Sequence, residues 1–464
     1  MRRVLKNFLF VLGGDLARRV LGFFAVAYLA RKIGTDGFGM VNIGFAVLSY
    51  ALMAGSAGLH SLGTREIARG ASEDIVGKIL GLRFTLSIVA LILSMVVLLL
   101  VNDRTLALLI FLFNIALIPD ALYVDWYFQG KEEMQSITPA RVASAVVYTG
   151  SLLLLVRSMA DIRMVGICVV LGDVTASVGF MIPYVRRNGL PKIRIALSEW
   201  GTLLKQSVPM AAGTILGSFS INFATIAIGY YMTNADVGIY SAASKLVFFL
   251  LMFDRVIATL LLPASARLHT RGNDDFAERL RVTLKWIVII ALSSSLGTVL
   301  IADRIIVFIY GSQYLASGFI LQIGIWYFFF TLLHTVYTSG LIAIGKERLY
   351  STVMTGSTVL YVLTIVAGIK LFGIAGAVGG IVFSEAVTLV VMQMMFSRFI
   401  RLSVPPALFK ILLSAAGMVA VVLLLSGLPV LLIMAAGSAT YAGLLFLTRA
   451  VTKEEVLSLV RQTA

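Results

Sequence analysis

Four basic residues lie deep inside apolar stretches of the sequence: Arg18, Arg19, Lys245 and Arg255. A charge at the centre of a membrane helix costs roughly 2.5–3.5 kcal/mol unless it faces water or a partner, so these cations are candidates for a functional role. Lys245 and Arg255 are ten residues apart, which places them within about 80° of each other on a helix. Both cations could therefore face one cavity, at different depths.

Acidic residues occupy the same kind of stretch: Asp15, Asp120, Asp173, Asp254 and Glu385. Asp15 precedes Arg18 and Arg19 by three and four residues, so a local ion pair can neutralise one of the two arginines and leaves the other to be explained. Asp173 and Glu385 fall in the middle of equivalent predicted helices. Each is interpreted either as a structural partner or as a titrating site for a coupling cation, and the structural role is favoured.

Neither a metal site nor a catalytic centre is indicated by the remaining candidates. Cys168 is the single cysteine, and the three histidines, His60, His269 and His334, lie far apart. We therefore expect no metal and no cofactor. The exterior loops are short and contain no D-x-D motif, so no enzymatic activity is expected. His334, like Gln206 and Asn222, is interpreted as a polar group whose hydrogen bonds are satisfied inside the protein.

The elements that must position these residues follow from composition. Of 464 residues, 59% are hydrophobic and 13% are charged, and the mean hydropathy is +0.97. These values lie far from those of soluble domains. Apolar stretches long enough to span a bilayer recur along the whole chain, so the predicted fold is an all-α integral membrane protein. The charges at 15–19 interrupt the first stretch, which is interpreted as an uncleaved helix rather than a signal peptide.

Fourteen membrane-spanning helices are predicted, among them helix 2 over 38–68 and helix 4 over 105–130. With the N-terminus in the cytosol, the cytoplasmic segments carry 27 lysines and arginines and the exterior loops carry 7. This asymmetry predicts that both termini are cytoplasmic. It also accounts for most of the +15 net charge through contact with anionic lipid, so no nucleic-acid partner is expected.

The polar segment 186–199 is the predicted boundary between two lobes. Residues 1–190 would form an N-lobe of six helices, residues 191–398 a C-lobe of six, and residues 399–464 a final helix pair with a short tail. The segments 29–45 and 228–244 are similar, with Gly39 opposite Gly238, which indicates a pseudo-repeat. The small-residue pairs Gly77/Gly81, Gly213/Gly217 and Gly376/Gly380 are interpreted as sites of close helix packing.

Two longer stretches resemble a known family. Residues 25–70 contain "LARKIGTDGFG" and "GTREIA", and residues 119–142 contain "DWYFQGKE". Together they resemble the Wzx-type polysaccharide-biosynthesis flippases of the multidrug/oligosaccharidyl-lipid/polysaccharide (MOP) superfamily. The family-motif positions in this sequence are Arg31, Gly39, Arg65, Glu66, Asp125, Trp126, Gln129 and Gly130.

The resemblance implies a transporter in the cell membrane that moves a polyprenyl-(pyro)phosphate-linked oligosaccharide from the cytoplasmic to the outer leaflet by alternating access. Arg18, Arg19, Lys245 and Arg255 would then bind the phosphate in a cationic central cavity. Membrane lipids and the glycan polymerase or glycosyltransferases of the same pathway are the partners it implies. The alternatives are a cation-coupled multidrug efflux transporter of the same superfamily and an integral-membrane glycan-modifying enzyme.

Overall fold

A computed structural model describes residues 2–99, 101–195, 197–255, 257–258, 261, 273–402 and 407–455. Within them, the side chains of residues 2–19, 97, 212–216 and 273–274 are not described. Over this part of the chain the protein is helical and contains no strand. The helices of the N-terminal half are α1 (Arg2–Ser56), α2 (Leu59–Ala68), α3 (Asp74–Leu98), α4 (Arg104–Asn114), α5 (Leu117–Ala121), α6 (Asp125–Gly130), α7 (Thr138–Leu155) and α8 (Ile162–Asn188).

The second half continues with helices of similar or greater length. These are α9 (Leu197–Tyr231), α10 (Asn234–Leu250), α11 (Asn273–Tyr310), α12 (Ala316–Ala343), α13 (Glu347–Ser397), α14 (Leu408–Leu424) and α15 (Val430–Leu447). Residues 252–255 form a further short helical segment directly after α10.

Ten helical segments of the described part are long and apolar enough to cross a membrane, which confirms a multi-pass membrane protein. Three of them are interrupted: α1, α11 at Ile301, and α13. Gly34 in α1 has φ of 71°, and Gly373 in α13 has φ of 61°, a left-handed conformation that glycine adopts without strain. Each long helix is therefore two helical stretches joined end to end. Large apolar side chains such as Leu99 and Leu424 are more than 80% exposed, as expected for surfaces that face lipid.

The chain packs as two compact units, Met1–Gly238 and Ile239–Ala464. In the first unit α1 contacts α3, α4, α7 and α9. In the second unit α12 packs on α11 and α13. Helix α9 belongs to the first unit because it contacts α1 and α2. The lobe boundary at residue 190, predicted from the polar segment 186–199, stays a prediction.

Predicted helices 2 and 4 are each interrupted, so the expectation that each is a single helix was wrong. The stretch 38–68 breaks at Ala57 and Gly58, whose φ values are 42° and 79°. A Cβ at Gly58 would overlap the carbonyl oxygen of Ser207 on α9, so the close approach of α9 requires glycine at this position. The stretch 105–130 is divided into α4, α5 and α6, and Pro119 within it cannot donate a backbone hydrogen bond.

The interpretation of Gly77 and Gly81 as a helix-packing pair was also wrong. A Cβ at either glycine would overlap the backbone of Lys192 or Arg194. These residues belong to the extended segment between α8 and α9, and the Arg194 N–H donates to the Gly77 carbonyl over 3.2 Å. The two glycines therefore seat this connection on α3 rather than a neighbouring helix.

The other small-residue pairs differ from each other. Gly376 and Gly380 lie against the backbone of Gly368 and Thr364 across the break in α13, so their interpretation as close helix packing was correct. Gly217 has no such neighbour within 4 Å, and Gly213 lies outside the described side chains.

The two turns that the sequence aligns with each other are in contact within the first unit. A Cβ at Gly39 would overlap the carbonyl oxygen of Asn234, and a Cβ at Gly238 would overlap the carbonyl oxygen of Thr35. Thr35 and Asn234 occupy the same position of the aligned segments, as do Gly39 and Gly238. The contact is thus reciprocal, which is the pattern that a repeat predicts.

Candidate functional site

The predicted phosphate-binding residues lie on three helical segments. Arg18 and Arg19 are in the N-terminal half of α1 with Asp15, and their side chains lie outside the described residues. Lys245 is on α10 and is partly buried, whereas Arg255, in the helical segment after α10, is exposed. Arg255 is next to Asp254, and its positive charge acts on the Asp254 carboxyl.

A cluster of polar side chains surrounds Asp254 in the second unit. His334 on α12 and Glu385 on α13 form a buried pair, with Nδ1 and Oε1 separated by 2.6 Å and side chains 12% and 13% exposed. The Thr331 hydroxyl donates to the same Glu385 oxygen over 2.9 Å. The Thr335 hydroxyl, one turn later, is hydrogen bonded to Asp254. We call these five residues the C-terminal polar cluster.

This arrangement explains how two acids are tolerated in apolar helices. A buried carboxylate is costly unless other groups neutralise it and donate to it. Glu385 has an imidazole and a hydroxyl for this purpose, and Asp254 has a hydroxyl and the nearby charges of His334 and Arg255. His334 is a satisfied interior group, as the sequence analysis expected. It is also a titratable one, so the net charge of the cluster can change.

The first unit balances its acids differently. Arg83, only 3% exposed, contacts the Asp120 carboxylate over 3.1 Å and also donates to the carbonyl oxygens of Asp120 and Tyr123. The Tyr123 hydroxyl donates to the Asp173 carboxylate over 2.8 Å. Asp120 and Asp173 thus have structural partners within their own unit.

Arg83 is a buried cation that sequence reasoning missed. It was assigned to a cytoplasmic segment, yet it lies nine residues into α3. Its position could have indicated burial, because Arg83 lies between Leu82 and Phe84 and five residues inside the helix predicted over 78–101.

The two family motifs, far apart in sequence, pack against each other. Trp126 on α6 is fully buried, and a Cβ at Gly63 on α2 would overlap its indole ring. A Cβ at Gly130 would lie 2.8 Å from the Thr64 carbonyl oxygen. The glycines of both motifs therefore permit the close approach of α2 and α6, and the motifs form one structural site.

Asp125 is the electrostatic centre of this motif site. Its side chain is 7% exposed and lies 3.0 Å from Arg141 and 3.3 Å from His60. Burial by itself would raise the pKa of the Asp125 carboxyl, but the hydrogen bonds and charges of His60 and Arg141 lower that pKa to about 2. Gln129 lies 3.5 Å from His60 and extends the same network.

Arg65 and Glu66 connect the motif site to α9. The Arg65 guanidinium contacts Glu66 over 2.7 Å and donates to the Gln206 side chain over 3.0 Å. Asn222, further along α9, donates to the Ser218 carbonyl over 3.0 Å. Arg31 lies on the exposed end of the first stretch of α1. Among the described residues, no three histidine, cysteine or acidic side chains are arranged to hold a metal ion.

These features define an all-helical membrane protein with buried ionic clusters, and its fold is that of MOP superfamily transporters. The structure of a "Lipid II flippase MurJ, inward closed conformation" aligns with a TM-score of 0.77 and 14% identity, and the alignment covers 94% of this chain and 98% of that one. An inward-facing multidrug resistance MATE family transporter of the MOP superfamily aligns with a TM-score of 0.66 and 14% identity, over 82% and 95% of the chains.

The sequence model of the family described as "Polysaccharide biosynthesis protein" matches residues 4–269. The chain belongs to this family, and the resemblance seen in the sequence motifs is confirmed. A "Putative O-antigen transporter" of Shigella dysenteriae is 25% identical over 410 residues, which are 83% of this chain and 98% of that protein. The "Probable low-salt glycan biosynthesis flippase Agl15" of Haloferax volcanii is 22% identical over 220 residues, or 46% of this chain and 47% of that protein. These relatives are transporters, in agreement with the prediction that the chain is not an enzyme.

Proposed function

We propose that this chain is a flippase for lipid-linked oligosaccharide, which carries a polyprenyl-(pyro)phosphate-linked glycan from the cytoplasmic to the outer leaflet by alternating access. The family membership and the relative from Shigella dysenteriae, matched over nearly its entire length, carry this proposal. A glycan polymerase or glycosyltransferases would act before or after it in the same pathway.

The proposal includes a topology of fourteen spans with both termini in the cytosol. It is supported by the 27-to-7 distribution of basic residues and by the breaks in α1 and α13. Cys168→Ser gives a background for single reporter cysteines. A cysteine at Asp236 should react with an impermeant reagent from outside the cell, and one at Asn273 should not. The reverse labelling pattern would refute this orientation.

The phosphate-binding site would consist of Arg18, Arg19, Lys245 and Arg255. Burial of a cation in an apolar helix costs roughly 2.5–3.5 kcal/mol, so a cation kept there has a compensating role. Binding of the phosphate group is such a role, because the substrate carries a negative charge across the membrane. The exposed position of Arg255 is compatible with access to a substrate.

Neutralising these arginines tests the site. Arg18→Ala and Arg255→Ala should each abolish glycan export in an export-deficient strain. Arg18→Ala should leave thermal stability in detergent unchanged or higher, since it removes a cation from an apolar helix. Arg255→Ala should change thermal stability little, because Arg255 is exposed. Arg18→Lys should restore part of the export, because it keeps the charge and loses the two-pronged contact.

Asp15→Asn is the control for this experiment. It should lower stability if Asp15 pairs with a neighbouring arginine, without selectively removing substrate binding. Normal export by both alanine variants would show that the arginines are structural and that the cationic-site proposal is wrong.

A cation-coupled multidrug efflux transporter is the second candidate, favoured by the fold shared with the MATE family transporter. Such a transporter moves cationic compounds and would bind them with acids. Resistance assays with cationic dyes, run beside the export assay, distinguish the two functions: a multidrug transporter lowers dye accumulation whether or not the glycan pathway is present.

A further inference from the structure

The C-terminal polar cluster contains one hydrogen atom that two acceptors share. The Thr335 hydroxyl is placed to donate both to the Asp254 carboxyl and, over 3.0 Å, to the Thr331 carbonyl. A hydroxyl has a single hydrogen and two lone pairs. If Asp254 is ionised, the two acceptors compete for that hydrogen. If Asp254 is protonated, its O–H can donate to Thr335, whose own hydrogen then goes to Thr331, and every group is satisfied.

We propose that Asp254, beside the His334–Glu385 pair, is an exchangeable proton-binding site that connects the segment after α10 to α12. The pair is arranged for this role, because the imidazole and the Thr331 hydroxyl both converge on one oxygen of Glu385. His334 and Glu385 therefore satisfy each other's hydrogen-bonding groups. Asp254, in contrast, accepts from the described part of the chain only the Thr335 hydroxyl hydrogen, which it shares with the Thr331 carbonyl. A proton bound to Asp254 supplies the missing hydrogen-bond donor.

The charged and titratable groups around Asp254 come from three helical segments. Arg255 follows it on its own segment, His334 and Tyr327 are on α12, and Glu385 is on α13. Tyr240, on α10, completes the set through Tyr327. Removal of the proton leaves a carboxylate between a cation, Arg255, and another acid, Glu385. The charge at this position consequently depends on all three segments.

A proton fits the cluster better than a metal ion does. The Glu385 oxygen nearest the cluster already has two donors directed at it, which leaves it less available to coordinate a cation such as sodium. No metal-ion arrangement of three histidine, cysteine or acidic side chains occurs in the part of the chain that the structure describes. The alternative of a sodium site is included in the test below.

The position of Asp254 gives proton binding a consequence, which rests on the proposed function. Asp254 precedes Arg255, a proposed phosphate-binding residue, and their charges interact. An ionised Asp254 offsets part of the positive charge that Arg255 presents, and a protonated Asp254 does not. Proton binding should therefore strengthen the binding of an anionic substrate, and by reciprocity the substrate should strengthen proton binding.

Infrared difference spectroscopy tests the site without any substrate. The purified protein in lipid nanodiscs is brought from neutral to acidic pH in sodium-free potassium buffer, and the carbonyl stretch of newly protonated carboxylic acids is recorded. Asp254→Asn should remove one component of this signal, and Thr335→Val should shift the same component because the hydrogen-bond partner of the acid is gone. Glu385→Gln should move the pH at which the component appears.

Asp173→Asn is the matched control, since Asp173 is also an acid of a membrane helix held by one hydroxyl. Its spectrum should retain the Asp254 component. An unchanged spectrum in Asp254→Asn would overturn the proposal, and so would loss of the component when sodium replaces potassium, because the site would then bind sodium.

An export assay over a range of pH separates this proposal from the proposed function. Asp254→Asn, which resembles the protonated acid, should export with less dependence on pH than the unmodified protein. A spectroscopic proton site in a protein that exports no glycan would refute the flippase and leave the proton site intact. If Asp254→Asn exported glycan with the same pH dependence as the unmodified protein and showed an unchanged spectrum, the proton site would be refuted and the flippase would stand.

Discussion

The two packed units balance their buried acids with different partners. In the first unit, Asp120 faces Arg83, and Asp125 faces Arg141 as well as His60. The two arginines carry a charge at every accessible pH. In the second unit, Glu385 faces His334, whose charge changes near neutral pH in its unperturbed state. An acid paired with arginine is fixed in charge, whereas an acid paired with histidine can be switched. The comparison indicates that the first unit is a scaffold and that the second contains the titratable element.

Arg83→Met should produce the largest effect. It removes a buried cation and leaves the Asp120 carboxylate and two carbonyl oxygens without their donor. Loss of one member of a buried ion pair typically costs about 3–5 kcal/mol, so the free energy of unfolding should fall by about that amount. Thermal unfolding in detergent measures this.

Two variants accompany that measurement. Arg104→Met removes an exposed arginine and should change the free energy of unfolding by less than about 0.5 kcal/mol. Glu385→Gln keeps an acceptor for Thr331 and should destabilise less than Arg83→Met. If Glu385→Gln were the more damaging variant, the assignment of scaffold and titratable element to the two units would be reversed.

Asp125→Asn should have an intermediate effect that depends on pH. The pKa of the folded-state carboxyl is lowered to about 2, below the unfolded value of about 3.9, so ionised Asp125 stabilises the fold above pH 4 or so. A shift of this size corresponds to about 2–3 kcal/mol. That contribution is lost as the pH falls towards the folded-state value.

Unfolding measured at several pH values checks the sign. The unmodified protein should exceed Asp125→Asn in stability at pH 6, and the difference should shrink between pH 4 and 2. A difference that grows on acidification would mean that Asp125 is not held as a carboxylate by His60 and Arg141.

Asp173→Asn should have the smallest effect of the series, below about 1 kcal/mol. The Tyr123 hydroxyl that donates to the carboxyl can donate equally to an amide oxygen, so the hydrogen bond is kept. Calorimetry of Asp173→Asn and of Tyr123→Phe, which removes the donor, distinguishes loss of the charge from loss of the hydrogen bond. A large loss in Asp173→Asn alone would show that the charge of Asp173 matters and would weaken its use as a structural counterpart of Asp254.

The sequence was sufficient for the features that depend on long apolar stretches or on distinctive motifs. Hydropathy alone identifies the membrane class, and the motifs at 63–68 and 125–132 identify the family. The breaks near Gly34 and Gly373 also coincide with predicted turns, since glycine and charge together mark a change of direction.

The features that sequence alone could not supply are contacts between distant residues. Nothing local shows that Arg83 reaches Asp120, 37 positions away, or that Gly63 makes room for Trp126. The role of Gly77 and Gly81 was misassigned for the same reason. Closely spaced small residues indicate a close backbone approach, but they do not identify the segment that approaches. The pairing of His334 with Glu385, 51 positions apart, also depends on how α12 and α13 pack.

The reciprocal contact of Gly39 and Gly238 has a consequence for thermodynamic coupling. Each glycine faces the backbone of the other turn, so a methyl group at either position would push the same two turns apart. The first substitution would already separate the two turns by the distance that the second substitution requires. The cost of Gly39→Ala together with Gly238→Ala should then fall short of the sum of the single costs. The two turns would thus behave as one energetic unit although 199 positions separate the glycines.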